Sequence, residues 1–195
     1  SNDTATRVNS SGLIEKVRTN VALYSNDFSN AAWAKLDNAT VSGIRVADPF
    51  GGNTAWQVIF DGSSNGRIEQ TIGSLINNGT YTTSFYLRVA SGTVSAFVIN
   101  DAVTITTTWQ RFSSIETITG TDAYPRLRCN TAATIQVYAG QFELSDFGAT
   151  DYIATTSAAV SVGPVANLPR LDYSGGCPSL LLEPQRTNLL QYSDG

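Results

Sequence analysis

Turn signals recur at short intervals along this chain, and the runs between them are short and rich in β-branched and aromatic residues. Asp48-Pro49-Phe50-Gly51-Gly52, Asp61-Gly62-Ser63-Ser64-Asn65-Gly66, Asn77-Asn78-Gly79, Ser91-Gly92 and Thr119-Gly120-Thr121-Asp122 each bring Gly, Asn or Asp to places where φ > 0 is needed. Candidate strands lie at 41–47, 54–60, 66–72, 80–90, 93–100, 102–106, 109–119, 125–129 and 133–145. Alternation is clearest in 93–99, where Val94, Ala96 and Val98 share one face and Thr93, Ser95, Phe97 and Ile99 the other. The second face is not wholly polar, so both sides are expected to be covered. Only 27–36 has the spacing for a turn or two of helix, capped by Asp27 or Ser29. The expected fold is all-β: a single β-sandwich or jelly roll of about eight strands, with extended N- and C-terminal arms.

Composition narrows the function. The chain has no His, which excludes Ser-His-Asp and Cys-His catalysis and any imidazole metal site. Two Cys cannot build a tetrathiolate zinc site, and no metal or cofactor is expected. A net charge of −4 with 12 basic residues argues against nucleic-acid binding, which needs a clustered positive surface. No apolar run approaches the roughly 20 residues that span a bilayer, so no membrane insertion is expected. Charged residues make up only 14 % of the chain, and low charge with abundant Ser, Thr and Asn is common in exported proteins. The first residue is Ser, not Met, which a removed signal peptide would explain, as would a fragment. Cys129 and Cys177 either form a disulfide in an oxidising compartment or stay as two small buried hydrophobes.

An internal echo sets the organisation. Glu15, Arg18, Thr19, Asn20, Tyr24 and Ser25 match Glu183, Arg186, Thr187, Asn188, Tyr192 and Ser193, every pair 168 residues apart. The chain therefore divides into an N-terminal arm (1–20), a β-sandwich module (21–152), an extended strap holding Pro164, Pro169 and Pro178 (153–178), and a C-terminal assembly strand (179–195). The terminal apolar segments need a surface to cover them. Three solutions are open: packing on the chain's own module, strand addition to the next subunit, or the border of a longer tandem protein. Strand addition would use Leu13, Ile14, Arg18, Thr19 and Asn20 from one end, and Leu180, Leu181, Leu182, Arg186, Thr187, Asn188, Leu189 and Leu190 from the other.

The segments Ala5-Thr6-Arg7-Val8-Asn9-Ser10-Ser11-Gly12-Leu13-Ile14-Glu15 and Pro169-Arg170-Leu171-Asp172-Tyr173, with the run from Gly175 to Leu190, resemble repeat modules of phage tail and head fibres and of related bacterial extracellular filament or surface proteins. Residues 24–33 resemble the first strand and turn of the carbohydrate-binding-module-like sandwich in those proteins. Residues 81–88, 108–112 and 141–144 are similar to its inner strands, and 151–160 to its exit strap, where Ala154 replaces the usual Pro. The resemblance implies a galactose-binding-like jelly roll in an extracellular or virion fibre.

The leading expectation is a non-enzymatic fibre subunit that polymerises head-to-tail with identical subunits. The alternative is a carbohydrate-binding adhesion module that recognises surface glycans. Trp33, Trp56, Trp109, Tyr86, Tyr124 and Tyr138 could stack on sugar rings, although core packing is the commoner use of such residues in a sandwich. Trp33 and Tyr124 are taken as the glycan-binding candidates. Sequons place glycosylation acceptors at Asn2, Asn9, Asn38 and Asn78. Asp61, Ser63 and Asn65 have the alternate spacing of a calcium loop, but position 72 is Ile where a bidentate Glu is needed, so a turn is expected.

Overall fold

The computed structural model describes residues 6–8, 11–12, 14–63, 65–163 and 170–181. The chain forms two compact units, one of residues 18–161 and one of 1–17 with 162–195. The second is known through two hairpins. Strands β1 (Thr6–Val8) and β2 (Ile14–Lys16) pair antiparallel, as do β15 (Arg170–Asp172) and β16 (Ser179–Leu181). The β15–β16 turn closes with the Gly176 N–H donating to the Tyr173 carbonyl at 2.9 Å.

The unit 18–161 is a two-sheet sandwich. Its larger sheet runs β11 (Gln110–Thr117), β8 (Thr80–Gly92), β13 (Ala132–Leu144), β6 (Ala55–Asp61), β5 (Thr40–Val46). The other runs β10 (Asp101–Val103), β9 (Ala96–Val98), β12 (Arg126–Cys129), β7 (Gly66–Glu69), β4 (Ala34–Leu36). Every neighbouring pair is antiparallel. A further pair joins β3 (Arg18–Asn20) to β14 (Val160–Val162). The all-β class holds, with more strands than eight because short strands also form in the segments read as arms, turn and strap: β1 to β4 and β14 to β16.

The period-2 pattern drives two rows of apolar side chains together. Val58, Phe60, Phe85, Leu87, Ile135, Val137 and Phe142 from the larger sheet meet Ile68, Ala96, Val98, Leu127 and Cys129 from the smaller. Phe28, Trp33 and Phe85 form a ring cluster with centroids 4.9, 5.9 and 6.2 Å apart. Each such pair adds about 0.5–1.5 kcal/mol beyond its buried area. β13 carries one extra residue between Tyr138 and Gln141, which face Tyr86 and Ser84 two apart on β8. This bulge sets Ala139 at φ 57 and brings Gly140 beneath Trp33, where no side chain would fit.

Four sequence expectations are corrected. Residues 27–36 contain no helix: N–H groups of Asp27, Asn30 and Trp33 bond three residues back in successive turns, because Phe28 and Trp33 must both enter the core. The run 93–100 is not one strand. Its alternation holds through Val98 and ends at Ile99, where φ is 54 and the chain reverses into β10. Cys129 and Cys177 are free thiols, the first deep in the core and the second exposed. Arg18–Asn20 and 153–161, read as arm and strap, belong to the sandwich unit.

Asn20 explains that last correction. It is fully buried, so it is not open to a neighbouring molecule. Its Nδ2 donates to the carbonyls of Ile153 (2.8 Å) and Gly140 (3.3 Å), and its Oδ1 accepts from the N–H of Phe142 (3.0 Å) and Ala22 (3.1 Å). Thr19 meets the Ser161 hydroxyl at 2.7 Å, and Arg18 lies 3.8 Å from the Asp151 carboxylate. Leu180 and Leu181 belong to β16, whose partner is β15 of the same chain, with the Leu180 side chain 53 % exposed. Ile14 lies in β2, while Leu13, Leu182, Arg186, Thr187, Asn188, Leu189 and Leu190 fall outside the described residues.

Candidate functional site

Trp33 and Tyr124 have different fates. Trp33 is 1 % exposed, wedged between Phe28, Phe85 and Gly140, with its Nε1 donating to the Tyr24 carbonyl at 3.0 Å. No sugar can reach it, and it is withdrawn as a glycan-binding residue. Trp56 is also core, its Nε1 bonded to the Asn26 carbonyl and its ring covered by the Arg45 guanidinium at 3.6 Å. Tyr124 is 45 % exposed, beside the smaller sheet. Asn38 and Asn78 are exposed at turns with φ 63 and 60, and Asn2 and Asn9 lie outside the described residues.

The rings on the larger sheet's outer face come from alternation. In β8, Phe85 and Leu87 point into the core, so Tyr86 and Arg88 point out. Register then assembles rows across the sheet. Arg111, Tyr86 and Tyr138 stand side by side, and the next row is Arg88, Gln136 and Gln57. Tyr86 and Tyr138 meet edge-on at 6.1 Å, and Tyr152 packs against Tyr138 at 5.8 Å. The Arg111 guanidinium lies 5.4 Å over Tyr86 and donates to Ser84 Oγ (3.0 Å) and the Thr150 carbonyl. The Arg88 guanidinium lies 4.9 Å over Trp109 and bonds Gln136 Oε1. Trp109, counted as core from sequence, is thus an outer-face residue.

A loop adds the last ring. Asp48 Oδ1 accepts from the N–H of Phe50 (2.8 Å) and Gly52 (3.1 Å), and Oδ2 accepts from the Thr54 hydroxyl (2.7 Å). These bonds, Thr54's first, hold the Asp48 carboxyl below its ordinary range against the opposing effect of burial. The folded loop sets Phe50 over Tyr86 (5.5 Å) and Tyr138 (5.9 Å) while leaving it 68 % exposed. Burial, with the Asp48 charge second, raises Tyr138, and burial pushes Tyr152 up to about 12. Both phenols stay neutral at physiological pH.

The far end of the same face is sealed. Glu143 accepts from Thr150 Oγ1 (2.6 Å), Gln141 Nε2 (2.7 Å) and Thr150 N (2.8 Å), and Ile153 N donates to Gln141 Oε1 (2.8 Å). Glu143 is therefore a structural carboxylate with its oxygens occupied. Asp61 accepts from Ser63 N (2.8 Å) and Ser63 Oγ (2.5 Å), a local turn. Among the described residues, no group of three His, Cys, Asp or Glu side chains could hold a metal.

Phe50, Arg88, Arg111 and Gln136 escaped sequence reading, yet a signal was there. Tyr86-Leu87-Arg88 and Trp109-Gln110-Arg111 each place a ring and a guanidinium two residues apart, on one face of neighbouring strands.

No family model and no curated protein matches this chain. Solved structures do. The CBM22-1 xylan-binding domain of Paenibacillus barcinonensis Xyn10C aligns with a TM-score of 0.50 at 12 % identity, covering 65 % of this chain and 92 % of that domain. The tandem CBM22-1–CBM22-2 domain of the same enzyme aligns at 0.51 and 14 % identity, covering 67 % of this chain and 47 % of the tandem. At such identity the likeness is one of fold alone: the sandwich unit has the β-sandwich fold of carbohydrate-binding modules.

Proposed function

We infer that this chain is a non-catalytic carbohydrate-binding module that recognises glycans outside the cell. The observation that carries it is the outer-face platform of Tyr86, Tyr138, Phe50 and Trp109, with Arg88 and Gln57 in the row beside Tyr86 and Tyr138. A pyranose has an apolar C–H face and an equatorial rim of hydroxyls. Fixed rings offer the first a stacking surface at small entropic cost, and planar amide and guanidinium groups hydrogen-bond the second. Xylan is the first ligand to try, since the Paenibacillus domain is a xylan-binding one. Titration calorimetry with oligosaccharides of xylan, mannan and cellulose tests the reading, with Tyr138→Ala and Tyr86→Ala expected to weaken binding about tenfold each. Binding that ignores both substitutions, or no binding to any polysaccharide, removes it.

A second reading, a head-to-tail fibre subunit, rests on the 168-residue echo. Asn20 locks the opening strand into the sandwich, and Asn188 repeats it in the same sequence setting. Another copy of the sandwich is the body that such a strand would serve. Sedimentation of the full chain and of Asn188→Ala decides: self-association lost in the variant supports it, and a monomer at high concentration removes it.

A further inference from the structure

The smaller sheet carries a different surface on its outer side. In β12, Leu127 and Cys129 face the core, so Arg126 and Arg128 face out, and Arg67, Glu69 and Phe97 do the same on the flanking strands. Register sets Arg128 directly opposite Arg67 on one side and Phe97 on the other, with Arg126 opposite Glu69. Like charges opposed across strands weaken a sheet, so the Arg67–Arg128 pair is a local cost on a chain of net charge −4.

The two arginines are not equivalent. Arg67 is ion-paired with Asp37 and with Glu69, whose Oε2 lies 3.0 Å from its Nε. Arg126 donates to Asn100 Oδ1 at 2.9 Å. Arg128 stacks on Phe97 at 4.3 Å and, among the described residues, donates only to the amide oxygen of Asn65, at 3.3 Å. Among the described residues its buried Nε has no acceptor, and neither Arg126 nor Arg128 has a carboxylate within 4.0 Å. Arg128 is thus a fork held by a ring, with no ion-pair partner among the described residues. It lines a groove of about 370 Å³ shared with Arg126, Arg67, Tyr124, Asn65 and Glu69, whose carboxylate is taken up by Arg67, and the volume is within the size range of small-ligand sites. Of the two glycan-binding candidates, Trp33 and Tyr124, only Tyr124 is accessible.

We propose that this groove binds the carboxylate of a uronic-acid residue in an acidic polysaccharide, held by the Arg128 fork beside Arg126 with the sugar ring laid on Tyr124. A guanidinium offers two parallel N–H donors matched to a carboxylate, and in Arg128 the terminal nitrogens, not the buried Nε, are the ones a groove ligand can reach. The carbohydrate-binding reading supplies the choice of a sugar, but the groove lies on the opposite sheet from the platform and stands or falls separately.

The test is an NMR titration of the whole chain, following the arginine Nε–H signals. The probes are trigalacturonate, trimannuronate and glucuronic acid, with xylotriose as the neutral sugar and sodium sulfate as the bare anion. At least one uronate is expected to shift the Arg128 Nε–H and Tyr124 ring signals. Arg128→Gln should weaken that binding about tenfold or more, as for loss of a charge-assisted pair. Arg128→Lys, which keeps the charge without the fork, should retain part of it, and Tyr138→Ala should leave it unchanged. The proposal is overturned if no uronate moves Arg128 at about 10 mM, where even a millimolar site is mostly filled. It is equally overturned if sulfate binds as well as every uronate, which would make this an anion site blind to sugar. Uronate binding that Tyr138→Ala abolishes would place the site on the platform instead.

Discussion

Replacing Asn20 by Ala should be among the most damaging single changes in this sandwich. The side chain is fully buried and makes four hydrogen bonds, all to main-chain groups. Its removal strands the N–H groups of Ala22 and Phe142 and the carbonyls of Gly140 and Ile153 away from water. An orphaned buried group costs about 1–3 kcal/mol, with donors costing more than carbonyls. Two donors at full cost and two carbonyls at a fraction give about 3–5 kcal/mol, against a whole-domain stability of about 5–15. Urea unfolding followed by tryptophan fluorescence is suited to the measurement, because Trp33 sits on Gly140, one of the stranded groups. Asn20→Asp separates shape from bonding. It keeps the acceptor for Ala22 and Phe142 but aims a charge at two carbonyls, so it should fall at least as far. A loss below about 1 kcal/mol for Asn20→Ala, the worth of one ordinary hydrogen bond, would refute the clasp.

Three other outcomes are expected. Because Asp48 is held below the ordinary carboxylate range, its contribution is present above that range and is lost as pH falls through its depressed value; the protection of the Phe50 and Gly52 amides, relative to their intrinsic exchange rates at each pH, should fall in acid, and Asp48→Asn should remove that dependence. Burial raises Glu116, with Arg126 partly opposing, so its contribution is lost as pH rises through its folded value; the stability gained by Glu116→Gln over the parent chain should therefore be larger at pH 7 than at pH 4, in parallel denaturation curves. Gly92 and Gly120 both have positive φ (88 and 102), but a Cβ at 92 would meet the Ala132 carbonyl oxygen at 2.5 Å while one at 120 meets nothing within 4 Å. Thermal melts should show Gly120→Ala costing only backbone strain, about 1–2 kcal/mol, and Gly92→Ala clearly more.

The class of fold was legible because strand parity is local. Ala96 and Val98 went to the core as alternation required, and Phe97 went outward beneath Arg128. Parity does not survive a turn, and the aromatic residues went wrong there. Trp109 follows the Thr106–Thr108 turn, so nothing local says which side of β11 it will take. Trp33 sits in consecutive turns with no period at all. The platform is a register property: Tyr86 and Tyr138 are neighbours only because β8 and β13 pair as they do, bulge included. The Arg128 groove was hidden for the same reason, since its partners come from strands far apart in the chain. Asn20 left a trace in the echo, which marked the residue without revealing what it bonds.

The Asn20 clasp also constrains the order in which the chain can fold. Its partners Gly140, Phe142 and Ile153 lie 120 to 133 residues downstream. A ribosome delivers β3 long before them, so that strand must wait, with only its local bond to Ala22 available, while the rest of the sandwich is made. Loop-closure entropy is met in full before any of these bonds can form, which places the sealing of β3 late and the whole domain among slow, high-contact-order folders. A chain stopped just short of Ile153 would hold every strand of both five-stranded sheets and still lack the shortest of the four bonds that bolt Asn20.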